Sequence, residues 1–249
     1  MNTNISMQPK LHIYPDNPAV ARAFADYLTE KLADHPGDFH LALSGGSTPK
    51  LLFQLLAKDY SDKIEWSKLH LYWGDERMVP HDDPESNYGE AKALLLDKVD
   101  IPATNIHPVP TGLEADKAAT AYGLVLEHSL AQRGKSVTFD LVMLGMGGDG
   151  HTASIFPHQM ELLTDEATCG VAEHPESGQL RVTLNGPVIN AANEICFLVT
   201  GAGKAEKVAL ILGEGEGYDQ YPAAHVKPVS GHVHWFLDEA AAAGLPKVH

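Results

Sequence analysis

Strand-like and helix-like stretches alternate along this chain, and the spacing of apolar side chains tells them apart. Residues 17–34 (NPAVARAFADYLTEKLAD) place Val20, Phe24, Leu28 and Leu32 at helical intervals. FHLAL (39–43) is short and nearly all apolar, which predicts a buried strand. STPKLLFQLLA (47–57) predicts a helix with Thr48 as its N-cap and Pro49 at the first helical position. KLHLYW (68–73) predicts the next strand, and GDERMVPHDDPESN reads as the loop after it. A helix is expected from about Tyr88 to Asp97, a short strand at NIHPV, and a helix over 114–132 with Ala118, Ala119, Tyr122, Leu126 and Leu130 inward. FDLVML (139–144), LRVTL (180–184), EICFLVT (194–200) and HVHWFL (232–237) read as strands, and GKAEKVALIL (203–212) as a helix.

This alternation predicts an α/β fold with a doubly wound, mostly parallel sheet and helices on both faces. In such sheets ligands bind beyond the carboxyl ends of the strands. Four polar motifs, SGGSTP, GDER, GGDGH and TGAGK, each directly follow a strand candidate, so all four are expected on one edge of the sheet.

Composition narrows the partners. The formal charge of -15 argues against nucleic acid or an anionic membrane, both of which call for a basic face. Any cations facing a small anionic substrate must be gathered from only 18 Lys and Arg. No apolar run approaches the roughly 18 residues of a membrane span. The stretch MNTNISMQPKLHIY has neither a basic n-region nor an apolar h-region, so no signal peptide is expected. Cys169 and Cys196 lie far apart and outside any C-x-x-C pattern, as expected of reduced thiols in a cytoplasmic protein.

The loops carry the candidate chemistry. In LALSGGSTPK, residues Ser44, Gly45, Gly46, Ser47 and Thr48 join a strand to a helix start, where free amides and hydroxyls suit a monophosphate. The same residues also suit a plain tight turn. Asp75, Glu76 and Arg77 form either a solvated charge cluster or, through Arg77, an anion contact. Arg181 and Lys204 are surface cations or anion ligands near strand ends. FDLVMLGMGGDGHTASIFP holds Gly145, Gly147 and Gly150 in a G-x-G-x-x-G spacing. A dinucleotide reading fails on two counts. Asp149 would set a carboxylate beside the pyrophosphate, and no second strand ending in an acid is evident in HQMELLTDEATCGVAEHP. The alternative is a turn that presents Asp149 and His151 to a cleft, with His151 suited to base work near neutral pH. His232 and His234 alternate on a strand but lack a clear third ligand for a metal.

ALSGGSTP, WGDER…SNYGEA, LGMGGDGHTASIFP, RVTLN, TGAGKA and HWFLD occur in this order across almost the whole chain. Together they resemble the glucosamine-6-phosphate isomerase/6-phosphogluconolactonase superfamily, on its lactonase side. The resemblance implies a Rossmann-like fold in a single domain over 1–249, and cofactor-free, metal-free hydrolysis of 6-phospho-D-glucono-1,5-lactone. It implies a small sugar-phosphate lactone as the partner, with the protein a monomer or homodimer. By match of motif, Ser44 to Thr48 resemble a phosphate loop joined by Arg181 and Lys204. His151 resembles the catalytic base, with Asp149, Asp75 and Arg77 lining the site. Amides of Gly147, Gly148 and Gly150, or Arg77, are candidates to hold the oxyanion, and either Asp149 or Asp75 to orient His151. The Lys-Pro-Pro run often found before the R-[IV]-T segment is missing, and His174 receives no role. The related deaminases usually show Asp-Glu-Tyr at 75–77 and a glutamate soon after D-G-H, where this chain has TASIFPHQ.

Overall fold

The computed structural model describes residues 8–130 and 137–246. Nine strands are described: β1 (Lys10–Tyr14), β2 (Phe39–Leu43), β3 (Leu69–Trp73), β4 (Asp75–Arg77), β5 (Leu141–Leu144), β6 (Cys169–Glu173), β7 (Leu180–Leu184), β8 (Glu194–Val199) and β9 (His232–Asp238). The α-helices are α1 (Asn17–Asp34), α2 (Ser47–Asp59), α3 (Asn87–Leu94), α4 (Ala115–Leu130), α5 (Gly186–Asn190) and α6 (Ala205–Leu212). The expected ends of the 114–132 helix at 131 and 132 lie outside the described residues, as do 1–7 of the N-terminal stretch.

A six-stranded, all-parallel sheet runs β1-β9-β8-β5-β2-β3. The chain moves outward from β2 to β3, then returns to β5 on the other side of β2. The strand order therefore reverses between β2 and β5, the point where doubly wound sheets open a crevice. Alternation sets the two faces of the sheet. On one face Phe236 of β9 meets Phe24 of α1 edge-on at 5.5 Å. On the other, Trp235 stacks on Phe197 of β8 at 4.1 Å. The central strands β2 and β5 are buried along their whole length, so their sequences read as apolar runs rather than alternations.

A second sheet of three antiparallel strands, β4-β7-β6, was not expected. The Asp75–Arg77 segment, read as loop, is one edge strand of it, and the acid-flanked CGVAE segment, β6, is the other. LRVTL is a strand as predicted, but it belongs to this sheet rather than the parallel one. Gly74 couples the two sheets, donating to Leu43 O at 2.8 Å and accepting from Leu184 N at 2.9 Å. Tyr122 of α4 fixes the same junction: its hydroxyl accepts from Trp73 N at 2.8 Å and donates to Trp73 O at 3.0 Å.

Three further expectations are corrected. NIHPV forms only a single bridge, Leu71 to Ile106. The helix expected to reach Asp97 breaks after Leu94 into a short 3-10 turn. The cap of α2 is Gly46, in the left-handed region at φ +114, and Thr48 instead lies inside the helix.

Candidate active site

The four polar motifs do converge. SGGSTP follows β2, GDER follows β3, GGDGH follows β5 and TGAGK follows β8, all at the carboxyl edge of the parallel sheet. Between them lies a cavity of about 300 Å³ whose wall includes Ser44 to Thr48, Asp75, Arg77, His151, Arg181 and Lys204.

The glycine turn shapes one wall. Gly147 N donates to His151 O at 2.9 Å and Gly150 N to Gly147 O at 3.1 Å, which closes the turn on itself. Gly150 needs its φ of +80, and its α-carbon fits against the ring of Tyr221, which an added Cβ would meet at 2.7 Å. Gly147 has a different reason to be glycine: a Cβ there would lie 2.2 Å from His151 Nδ1 and 2.5 Å from Asp149 Oδ1. The missing side chain is the space in which those two groups meet. Asp149 Oδ1 lies 2.6 Å from His151 Nδ1 and also receives His151 N at 3.2 Å.

Burial pushes the Asp149 carboxyl up, but the hydrogen bond and charge of His151 outweigh it and hold the group at about 2. An ionised Asp149 has no proton to offer, so Nδ1 must donate, and Nε2 is left as the acceptor. The base of the imidazole rests on Phe156, with ring centroids 4.7 Å apart.

Asp75 does not contact His151. Its Oδ2 accepts from Ser154 Oγ at 2.7 Å, and that hydroxyl lies 3.5 Å from Arg181 Nη1. Of the two acids left open by the sequence, Asp149 is the one that holds the imidazole. Glu76 is wholly buried and anchors α3, accepting from Asn87 N and Tyr88 N at 2.8 Å each. Burial raises its pKa against the pull of those amides.

The cations come from both sheets. Arg77 and Arg181 are directly opposite one another across β4 and β7. Like charges so placed repel, and both guanidinium groups keep a buried Nε without a hydrogen-bond partner. Arg77 Nη1 donates to Glu85 O at 2.5 Å. Burial lowers the Arg181 pKa, Asp75 raises it and Arg77 lowers it again. Lys204 ends a 3-10 turn after β8; burial lowers its pKa while the nearby Asp149 raises it. Two guanidinium groups side by side with donors to spare form a site that an anion would stabilise.

The start of α2 supplies the rest. No side chain caps its first turn, so its leading amides face the cavity with Gly46, Ser47 and Thr48. The Thr48 hydroxyl meets that of Thr200 at 3.0 Å, which joins the first loop to the last.

The predicted phosphate-loop residues and cations, with Asp75, Gly147 and His151, therefore line one cavity, whereas Asp149, Gly148 and Gly150 are not on its wall; a further correction concerns the oxyanion. The amides of Gly147 and Gly150 are committed within the turn, so they do not point at a substrate in this conformation. Sequence reasoning passed over Asn87, whose Nδ2 donates to Asp75 O at 2.9 Å and whose Oδ1 occupies the space beside Gly45. The SNYGEA motif contained it, yet nothing in its spacing pointed to the cavity. His232 and His234 stand at the opposite end of the sheet, where His234 is engaged by His12 at 3.0 Å and Glu194 at 3.1 Å.

Known proteins share both pattern and fold. Residues 15–235 match the family model for glucosamine-6-phosphate isomerases/6-phosphogluconolactonase. A 6-phosphogluconolactonase of Haemophilus influenzae is 44% identical over 224 residues, covering 90% of this chain and 94% of that one. A solved 6-phosphogluconolactonase from Trypanosoma cruzi is 28% identical with a TM-score of 0.87, covering 99% of this chain and 100% of the other. A monomeric glucosamine-6-phosphate deaminase superposes with a TM-score of 0.80 at 18% identity, covering 94% and 99%, a likeness of fold alone. The chain belongs to the glucosamine-6-phosphate isomerase/6-phosphogluconolactonase family.

Proposed function

We propose that this protein hydrolyses 6-phospho-D-glucono-1,5-lactone to 6-phosphogluconate. The observation that carries the reading is His151, held by Asp149 at 2.6 Å, on the wall of a cavity that Arg77, Arg181 and Lys204 also line. One end of such a site can activate water while the other binds a phosphate. The Haemophilus influenzae relative bears the same activity in its name.

In the proposed reaction the phosphate lies against the leading amides of α2, with Lys204 and Arg181 as counter-charges. These contacts orient the ring so that C1 faces His151. Nε2 of His151 takes a proton from a water as its oxygen bonds to C1, a role worth roughly 10²–10⁴-fold in rate. Asp149 holds the tautomer and stabilises the imidazolium that forms. Arg77 is the side-chain donor for the oxyanion; of the loop amides, those of Gly147 and Gly150 are engaged within the turn, and that of Gly148 is the backbone alternative. When the tetrahedral intermediate collapses, the C1–O5 bond breaks and the ring oxygen takes the proton back from His151. The product is the open-chain acid, and no enzyme nucleophile is needed.

A deaminase would work differently: it relays protons through a glutamate soon after the D-G-H sequence, where this chain has TASIFPHQ. Glu76, the nearest glutamate in the GDER motif, is occupied in anchoring α3. The test is to supply freshly made lactone and, separately, glucosamine 6-phosphate. Acid production above the spontaneous rate with no ammonia release supports the lactonase; ammonia release with no lactone turnover overturns it. We also read the protein as one domain and as cytoplasmic. The one cluster of buried apolar side chains among the described residues supports the first, and the buried, free Cys169 and Cys196 support the second. No helix among the described residues is long and apolar enough to cross a membrane.

A further inference from the structure

Asp238 closes β9, and the mechanism above gives it no role. Its side chain is buried, and both carboxylate oxygens converge on one amide: Gly201 N lies 2.9 Å from Oδ1 and 2.9 Å from Oδ2. Oδ1 also accepts from Ala241 N at 2.7 Å. The sequence motif HWFLD ended on this residue without explaining it.

Gly201 is the pivot of the loop that carries Lys204. It has φ +96, and its carbonyl accepts from Lys204 N at 3.0 Å. Residues 202–204 then make a single 3-10 turn that runs into α6. A Cβ added at Gly201 would meet nothing within 4 Å, so side-chain packing does not fix this peptide. A glycine in open space has the widest choice of conformations. What selects one here is the hydrogen bonding of its two ends, to Asp238 on one side and to Lys204 N on the other. An amide held by a carboxylate is among the stronger neutral-to-charged hydrogen bonds.

We propose that Asp238 is a positioning residue for anion binding. Its carboxylate fixes the Gly201 peptide and so aims Lys204 at the cavity. The inference rests on the reading of Lys204 as an anion ligand, and it adds the group that holds that ligand in place. Asp238 lies one layer behind the wall and touches no substrate.

The test is Asp238→Asn. The amide has the same shape, but its NH₂ would take the place of one of the oxygens that now receive Gly201 N. Losing a hydrogen bond to a charged group predicts a rise in KM for the lactone of roughly tenfold. With chemistry untouched, kcat stays within about twofold. The Kd of 6-phosphogluconate, measured by calorimetry, rises by the same factor as KM. If Asp238 acts through Lys204, Asp238→Asn adds little in a Lys204→Ala background.

Independent, additive losses in the double variant overturn the proposal. So does a fall in kcat at unchanged KM, or a lowered melting temperature with KM and Kd both unchanged. Should Asp238→Asn not fold, Gly201→Ala strains the same peptide without a clash, and the same non-additivity with Lys204→Ala is required. Calorimetry needs no turnover. A wild type that binds 6-phosphogluconate but leaves the lactone unhydrolysed removes the proposed function and still tests Asp238. A wild type that hydrolyses the lactone while Asp238→Asn leaves both KM and Kd unchanged overturns the proposal for Asp238 and leaves the proposed function standing.

Discussion

Gly147→Ala should disable the site while leaving the fold in place. A Cβ at this position would stand 2.2 Å from His151 Nδ1, 2.3 Å from its Cε1 and 2.5 Å from Asp149 Oδ1. Carbon and nitrogen in ordinary contact keep a separation of about 3.4 Å or more. The imidazole or the turn must therefore retreat by about 1.2 Å, and the carboxylate by about 0.9 Å. The turn is the stiffer of the two, because Gly150 O accepts from Ala223 N at 3.1 Å and Tyr221 packs against Gly150. The side chains give way, and the 2.6 Å pair opens. Misplacing a reacting group by about 1 Å costs on the order of 10²-fold in rate. Overpacking at one point costs about 1–3 kcal/mol, against a typical stability of about 5–15 kcal/mol, so the protein should still fold. Gly147 lies outside the left-handed region, so alanine adds no backbone strain and the effect is steric alone. Gly148→Ala is the companion variant, since its Cβ would meet nothing within 4 Å. Lactone hydrolysis, corrected for spontaneous opening, should show kcat down by roughly 10²-fold for Gly147→Ala, at least tenfold worse than Gly148→Ala. A Gly147→Ala enzyme within threefold of wild type would refute the idea that this glycine exists to seat the pair.

The remaining predictions concern the charges. Asp149→Asn should lower kcat by roughly 10²–10⁴-fold with little change in KM, because the amide can no longer hold the imidazole in its base form; steady-state kinetics with a KM increase alone would contradict it. Arg181→Ala should raise KM at least tenfold and leave kcat the less affected, as expected of a remote phosphate ligand; the reverse split would argue for a role at C1. The Asp149 carboxyl sits at about 2 in the folded protein against an ordinary value of 3.8, so its contribution to stability is complete above pH 3.8 and is lost as pH falls through 2. Urea midpoints measured from pH 4 down to pH 2.5 should therefore fall less steeply for Asp149→Asn than for wild type; equal slopes would show that the pair does not hold the carboxylate ionised.

The parallel sheet was legible because its strands are buried on both faces. FHLAL and FDLVML contain almost nothing but apolar side chains, and the loops after them stand out by contrast. The small sheet was hidden for the opposite reason. β4 is the sequence Asp-Glu-Arg, three polar residues whose side chains serve the cavity and the α3 anchor instead of a core. β6 is short and flanked by acids; the HPESGQ segment that joins it to β7 does carry a turn signal in Pro175 and Ser177-Gly178, but with β6 unrecognised as a strand that turn had no hairpin to close. β1 was passed over because it is an edge strand with Leu11 and Ile13 exposed and a histidine between them, so its periodicity does not separate a core face. For the site, residue types with obvious chemistry were found and their partners were not. His151 and Asp149 could be named from a motif, but the choice between Asp149 and Asp75 required distances. Asn87, Phe156 and Asp238 act by contact and by aim, and a sequence shows neither.

The central claim is that His151 activates water toward a phosphorylated lactone. The most direct test is hydrolysis of freshly prepared 6-phosphogluconolactone by wild type and by His151→Ala, side by side, with the spontaneous rate subtracted from each. Wild type should turn over well above the blank, and His151→Ala should lose at least 10²-fold in kcat while still binding 6-phosphogluconate. A His151→Ala enzyme that keeps the full kcat, or a wild type that does no better than the blank, would contradict the account.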